Sequence, residues 1–390
     1  MQAGTQWQPE RPIHPSERNR ILAMTSLRIV RARGTPAERG RQIGSQLGEV
    51  IERSLSFYQG YLGRRGYSSD ELEGVLSPYL RAAARGLPQY VEMVRGLAAG
   101  AMASFWEVLA VNALEELDAL TGSAGPVSFR DERDRGVGHR PVPRAERCSS
   151  FTVSGEGFTL LGHNEQWFDG DRGNMAVVIE EASDRGPAVV SPTVVCCLPA
   201  VGMNDRGGAQ AIQSVAASDD GVGIPRVLVS RHALESADRP DAVRRVTIAG
   251  RAGGYAHVFA FRGGDAFTVE TTGRRQSLLS GPGPHTNHYL DPALAAVSAP
   301  PSKGSAARYA RLLALLEELR PDTPERVMQI LRDHEGEPHS ICLHPAPDAG
   351  EEAEAVLFSM VCDLEAGRMW VAPSNPCVTP YEEIPLAEVL

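Results

Sequence analysis

Residues 122–147 divide this chain. The segment GSAGPVSFRDERDRGVGHRPVPRAER consists largely of Gly, Pro and charged residues and has almost no apolar periodicity. It therefore reads as a flexible linker and not as part of a packed layer. A patternless stretch of this length inside a compact protein is either a spacer or functional. Helical patterns precede it and β-rich segments follow it, so the fold must join a helical piece to a sheet-forming piece across this break.

Upstream, a short strand over 27–30 is closed by the turn Arg33-Gly34-Thr35-Pro36. Ile43, Leu47, Val50, Ile51 and Leu55 then recur at helix spacing. Thr35 suits the N-cap, Pro36 the first helical position, and Glu38 the first turn. Further helices are expected over 70–99, broken near Gly86-Leu87-Pro88, and over 104–120. Downstream, strands are expected over 149–153, 158–162, 176–181, 193–198, 208–215, 257–261, 266–271 and 277–279. Helices are expected over 225–237, 240–249, 306–319 and 324–333, followed by a hairpin of 355–363 with 368–372. Strands in succession, with helices grouped between them, indicate an α+β, layered architecture. The expected division is a disordered tail over 1–26, a helical segment over 27–121, the linker over 122–147, and a β-rich unit over 148–390.

A net charge of -10 and a pI near 5.6 argue against nucleic acid or an anionic membrane surface as partner. No apolar run reaches the roughly 18 residues of a membrane span. The N-terminus has charges and prolines where a signal peptide needs an apolar core, so a cytoplasmic location is expected. The six cysteines, at 148, 196, 197, 342, 362 and 377, form no C-x-x-C pair and no zinc-finger spacing with histidine. Neither a metal nor another cofactor is expected. His285 and His288 flank Asn287 without a third ligand at metal spacing. Cys196 and Cys197 are expected on opposite faces of a strand, Ser340 and Cys342 on a buried strand, and Asp333-His334-Glu335 at a helix end.

Cys148 is distinguished by position: the linker ends at Arg147 and the alternating segment Cys-Ser-Ser-Phe-Thr-Val begins. A strand headed by Cys, Ser or Thr suits an enzyme whose nucleophile becomes an N-terminus. The thiol attacks the preceding carbonyl, an N-to-S acyl shift follows, and the chain is severed. The freed α-amine has an ordinary pKa of about 7.7–8.0, so it is a competent base near neutrality. One residue then supplies nucleophile and base.

Six segments, in order, raise this from a local signal to a pattern. They are Gly34-Thr35-Pro36 running to Gly44; Cys148-Ser149-Ser150 with Gly162-His163-Asn164-Glu165-Gln166-Trp167; Val201 to Gly208; His285-Thr286-Asn287-His288; Ser305 to Tyr309; and Asp333 to Cys342. Together they resemble the acyl-CoA:6-aminopenicillanic acid acyltransferase and carcinine hydrolase family of N-terminal-nucleophile enzymes. The resemblance implies a four-layer αββα sandwich, cleaved between Arg147 and Cys148 into fragments that stay associated. It implies Cys148 as nucleophile, Asn204 and Asn287 as oxyanion donors, and Arg308 as a cation near the thiol. Asn164, Trp167 and His285 are expected to line the substrate pocket, with a core role as the other reading of Trp167.

Two positions depart from the family pattern. Gln166 stands where the family has an Asp that accepts from the α-amine, and Arg147 stands where the penicillin enzyme has Gly. Asp169 or Glu165 are candidate substitutes for that Asp, although Glu165, adjacent to Gln166 in a strand, points to the opposite face. The expected function is amide hydrolysis or acyl transfer through an acyl-enzyme on Cys148. The partners are a small amide or acyl thioester and, for transfer, an amine acceptor. Two alternatives stay open: a non-catalytic, ligand-binding family member, and a Cys/His enzyme that does not process itself and uses His285 or His288 as base.

Overall fold

The structure, a computed structural model, describes residues 15–24, 26–121, 148–184, 186–346 and 348–386. The expected linker, and with it Arg147, lies outside the described residues. In chain order the helices are α1 (Pro15–Met24), α2 (Pro36–Arg64), α3 (Leu72–Gly86), α4 (Pro88–Ala101), α5 (Phe105–Val111) and α6 (Leu114–Thr121). After the linker come α7 (Arg226–Ala233), α8 (Arg239–Val246), α9 (Lys303–Leu319) and α10 (Pro324–Leu331). The strands are β1 (Ile29–Ala32), β2 (Ser149–Gly155), β3 (Phe158–Phe168), β4 (Met175–Glu180), β5 (Val189–Val194), β6 (Gly202–Asn204) and β7 (Gly208–Ser214). They continue with β8 (Tyr255–Phe261), β9 (Asp265–Thr271), β10 (Gln276–Ser280), β11 (Pro284–His285), β12 (Glu354–Asp363), β13 (Arg368–Ala372) and β14 (Glu382–Glu383).

Two sheets result. One has the order β1-β4-β5-β6-β7-β8-β9-β10 and the other β11-β2-β3-β12-β13-β14. Leu161, Phe358, Met360 and Val371 of the second sheet meet Val177, Ile179, Val190, Met203 and Ala211 of the first in one buried cluster. The outer face of the first sheet packs Ala176 and Val178 against Ile43, Leu47 and Val94 of α2 and α4, and Phe259 and Phe267 against Ala233, Ala242 and Val246 of α7 and α8. The outer face of the second packs Phe151, Leu160 and Val361 against Leu312 of α9 and Val327 and Ile330 of α10. The order of layers is thus helix, sheet, sheet, helix, as expected.

Local chemistry sets the helical layer. Glu38 N donates to Thr35 Oγ1 at 3.3 Å and Thr35 N donates to Glu38 Oε2 at 2.8 Å, a reciprocal capping box that starts α2. Gly40 and Gly44 let α2 lie directly on α4: an added Cβ would stand 2.1 Å from Met93 O and 2.2 Å from Leu97 O. Any side chain there would force the helices apart. The 70–99 region is interrupted at Leu87, with Pro88 opening α4.

Four expectations are corrected. Within the supposed disordered tail, residues 15–24 form α1, whose Ile21 is buried and whose Arg20 pairs with Asp169 at 3.1 Å. The strand expected over 193–198 is Val189–Val194, which contains Pro192. Proline is tolerated there because β6 pairs only with Val189 and Val190, leaving no ladder bond to lose on that side. Cys196 and Cys197 lie beyond that strand, and residues 340–342 lie outside any strand.

Candidate active site

Cys148 stands at the head of β2, 2% exposed, with a φ of 89°. This left-handed conformation is unusual for a residue with a Cβ, and such strain persists only where the surroundings impose it. The imposed contacts are visible. The Cys148 thiol donates to Glu165 Oε1 at 3.2 Å. Glu165 Oε2 meets His163 Nε2 at 3.0 Å, and His163 Nδ1 meets Ser150 Oγ at 2.7 Å. Gln213 Nε2 donates to the same Ser150 hydroxyl. Ser150 thus joins Gln213 to His163, and His163 joins Ser150 to Glu165. Burial pushes the Cys148 thiol well up and the Glu165 carboxylate adds to the rise, while the Gln166 backbone N–H works against it.

A second set of contacts holds the Cys148 carbonyl. Arg308 Nη1 donates to Cys148 O at 2.7 Å and to Ser149 Oγ at 2.9 Å, and its Nη2 donates to Asn287 Oδ1 at 3.0 Å. Because Asn287 Oδ1 accepts from the guanidinium, its NH2 group faces away from Arg308, and Nδ2 donates to Ser214 O at 3.0 Å. The Ser214 hydroxyl donates to Glu115 of α6. Cys148, Arg308 and Asn287 are therefore brought together, and the surface reading of Arg308 is excluded by its burial. A cleft of about 380 Å³, lined in part by Gly304, Pro338 and His339, opens onto Arg308.

The other expected site residues have different work. Both amide hydrogens of Asn204 are engaged, on Leu234 O at 2.8 Å and Ser236 O at 2.9 Å. Its Oδ1 accepts from the backbone of Arg206 and Gly208, so Asn204 fixes a turn and has no N–H to offer an oxyanion. Asn164 Nδ2 donates to Leu331 O and Ile341 O, which ties β3 to the chain after α10. Trp167 Nε1 donates to Tyr58 OH at 2.5 Å and its ring packs in the helical core; the core reading holds. His285 Nε2 bonds Glu270 Oε1 at 2.8 Å, with both side chains fully buried. His288 Nδ1 meets Ser305 Oγ at 2.7 Å, and the histidine linked to the thiol is His163.

Gln166 Nε2 donates to Ile341 O at 3.0 Å, and its Oε1 is buried without a partner among the described residues. The acid at the Cys148 thiol is its neighbour, Glu165. Glu165 reaches Cys148 because β2 and β3 pair Ser149 with Asn164, which sets residue 165 directly across from 148, and opposed residues share a face. Facing away from Gln166 is thus what aims Glu165 at the thiol. Sequence alone offers Glu165 only as a substitute for the family Asp, and it does not pick out His163, Ser150, Gln213 or Glu115 as site residues. The hairpin turn Glu156-Gly157, with Gly157 at φ 81°, carried the signal: counting outward from it places Glu165 opposite Cys148.

The sequence profile of acyl-coenzyme A:6-aminopenicillanic acid acyl-transferase matches residues 153–377. The 40 kDa form of the acyl-coenzyme A:6-aminopenicillanic-acid acyltransferase of Emericella nidulans is 24% identical over 359 residues, 89% of this chain and 93% of that protein. Among solved structures, a point mutant of conjugated bile acid hydrolase from Clostridium perfringens is 11% identical, covering 62% of this chain and 93% of its own, with a TM-score of 0.41. Penicillin V acylase from Agrobacterium tumefaciens is 17% identical, covering 58% and 83%, with a TM-score of 0.39. Those superpositions are loose, and the layer order rests on the packing described above. No helix among the described residues is long and apolar enough to cross a membrane. The profile match, spanning more than half of the sequence, establishes that this chain belongs to the acyl-coenzyme A:6-aminopenicillanic acid acyl-transferase family.

Proposed function

We propose that this chain cleaves itself between Arg147 and Cys148, and that the processed enzyme transfers or hydrolyses a small acyl group through a thioester on Cys148. The observation that carries this reading is the strained Cys148, with Glu165 on its thiol and Arg308 on its carbonyl. Before cleavage no α-amine exists, so the thiol needs another base. Glu165 is within hydrogen-bonding distance to take the proton as sulfur attacks the Arg147 carbonyl carbon. The Cys148 nitrogen leaves as an amine, and water resolves the thioester to an Arg147 carboxylate and a free thiol. The positive φ supports this step, since strain released at the scissile residue lowers the barrier to cleavage.

After cleavage the Cys148 α-amine replaces Glu165 as the base for the thiol. Asn287, oriented by Arg308, is the side chain for the oxyanion of the substrate, and an amide donor of this kind contributes about 10²–10³ in rate. The fragments have reason to stay together. β1 pairs with β4, Arg39 bonds the buried Glu180 at 3.0 Å, and Asn112 of the helical segment bonds Cys196 O and Leu198 N.

The names of the relatives suggest acyl-CoA thioesters as donors and small amines as acceptors, with N-acyl amides as the hydrolytic alternative. Purified protein should be incubated with a panel of acyl-CoA thioesters and N-acyl amides, quenched in acid and weighed by mass spectrometry. An acyl adduct on the Cys148 peptide, with free acid or a new amide accumulating, is the expected result. Absence of any adduct or turnover across the panel would favour the non-catalytic reading.

A further inference from the structure

Away from Cys148, four side chains converge behind the second sheet. His334 follows α10, Cys342 and His344 lie in the irregular segment beyond it, and Cys377 lies in the turn after β13. Their donor atoms all lie within 4.8 Å of one another. Cys342 Sγ is 3.6 Å from Cys377 Sγ and 3.8 Å from His344 Nε2. His344 Nε2 is 3.2 Å from Cys377 Sγ and 3.3 Å from His334 Nε2. A tetrahedral zinc with Zn–S of about 2.3 Å and Zn–N of about 2.0–2.1 Å has edges of roughly 3.8 Å between sulfurs, 3.5 Å from sulfur to nitrogen and 3.3 Å between nitrogens. The observed separations fall within about 0.3 Å of those edges.

We propose that His334, Cys342, His344 and Cys377 form a structural Cys2His2 zinc site. Two thiolates and two neutral imidazoles fill a tetrahedron without an open position, which is the signature of a structural and not a catalytic zinc. The surroundings are organised for it. Asn375 Nδ2 lies 3.6 Å from Cys342 Sγ and donates to Leu343 O at 2.8 Å, and Arg172 Nη1 donates to Asn375 Oδ1 at 2.9 Å. Such outer hydrogen bonds orient ligands and stabilise thiolate charge. Cys342 N donates to Asp333 O at 2.9 Å, and Arg332 Nε donates to Pro376 O at 2.9 Å, so the three contributing segments are tied to each other beside the ligands. The expectation of no metal rested on the absence of familiar spacing, and here the ligands come from distant segments that the fold assembles.

The site bears on the nucleophile strand. Ile341, next to the ligand Cys342, offers the carbonyl that both Asn164 and Gln166 of β3 hold. Zinc would pin the segment against which that strand is set.

The test is metal content and ligand spectroscopy on the full chain. Protein from zinc-supplemented growth should carry one zinc per chain by elemental analysis. After chelation and Co(II) replacement it should show thiolate-to-cobalt charge transfer and the d–d bands of tetrahedral cobalt. Cys148→Ala should keep both signals, and Cys342→Ser with Cys377→Ser should lose both. Should the double variant fail to fold, the wild-type cobalt spectrum decides alone. A chain without zinc whose Co(II) complex lacks thiolate bands, or one that is 2 Da lighter with Cys342 and Cys377 joined as a disulfide, would overturn the proposal.

Discussion

Glu165 and Cys148 face each other across the β2–β3 ladder, with the thiol donating to Oε1 at 3.2 Å. The carboxylate is fixed from its other side by His163, which Ser150 and Gln213 hold in turn. A base this constrained and this close to a buried thiol is suited to the single proton transfer that self-cleavage requires, and it gives the first prediction.

Replacing Glu165→Gln keeps the shape and removes the basicity. Self-cleavage should slow by about 10²–10⁴-fold, the usual worth of a positioned general base, in a time course followed by gel electrophoresis. Glu165→Asp should recover part of the rate. Unchanged cleavage in Glu165→Gln would assign the proton transfer elsewhere.

Arg308 bridges Cys148 O, Ser149 Oγ and Asn287 Oδ1 with one planar group. A lysine ammonium cannot reproduce that fork. Arg308→Lys should therefore reduce kcat nearly as much as Arg308→Met, about 10²-fold or more by the scale of one lost transition-state contact. A lysine variant with wild-type kcat would show that only the charge matters.

The two asparagines should separate cleanly. Asn287→Ala is expected to lower kcat by about 10²–10³-fold, with a smaller loss of melting temperature than Asn204→Ala. Asn204→Ala removes four hydrogen bonds to backbone groups. It should cost about 1–3 kcal/mol of stability, while the fraction that remains folded keeps its kcat. Thermal melts and steady-state kinetics on both variants check this, and the reverse pattern would return Asn204 to the oxyanion site.

Stability should fall on the acid side partly through His257. Burial lowers this imidazole from 6.5 to about 3, so the folded state resists a proton that the unfolded chain accepts. The contribution is fully present above pH 6.5 and is lost as pH falls toward 3, at about 1.4 kcal/mol per pH unit across that window. Denaturant melts of wild type and His257→Leu between pH 7 and 4.5 should show a shallower acid limb in the variant. Parallel limbs would mean that His257 is not held neutral.

Much of this fold is legible in the sequence because its signals are local. The capping box at Thr35 and Glu38, the break at Leu87-Pro88 and the alternation of β2 and β3 need only neighbours in the chain. Cys148, Arg308 and Asn287 are legible through ordered motifs. What escapes depends on pairing in space. Glu165 escapes because its face is set across the hairpin, while the sequence shows it only relative to Gln166. Asn204 has the turn chemistry of its residue type, and a motif match alone cannot show that its amide is already committed. His334, Cys342, His344 and Cys377 meet only once α10 and the β12–β13 hairpin are in place.

The most direct test of the central claim is the intact mass and N-terminal sequence of the purified chain. The whole chain is 42.0 kDa over 390 residues, so a cut before Cys148 gives fragments of about 16 and about 26 kDa, by simple proportion to length. The expected result is these two masses, copurifying, with the larger beginning Cys-Ser-Ser-Phe and with Cys148→Ala remaining whole. A wild-type chain that stays at 42.0 kDa, or a Cys148→Ala variant cut at the same bond, would contradict the account.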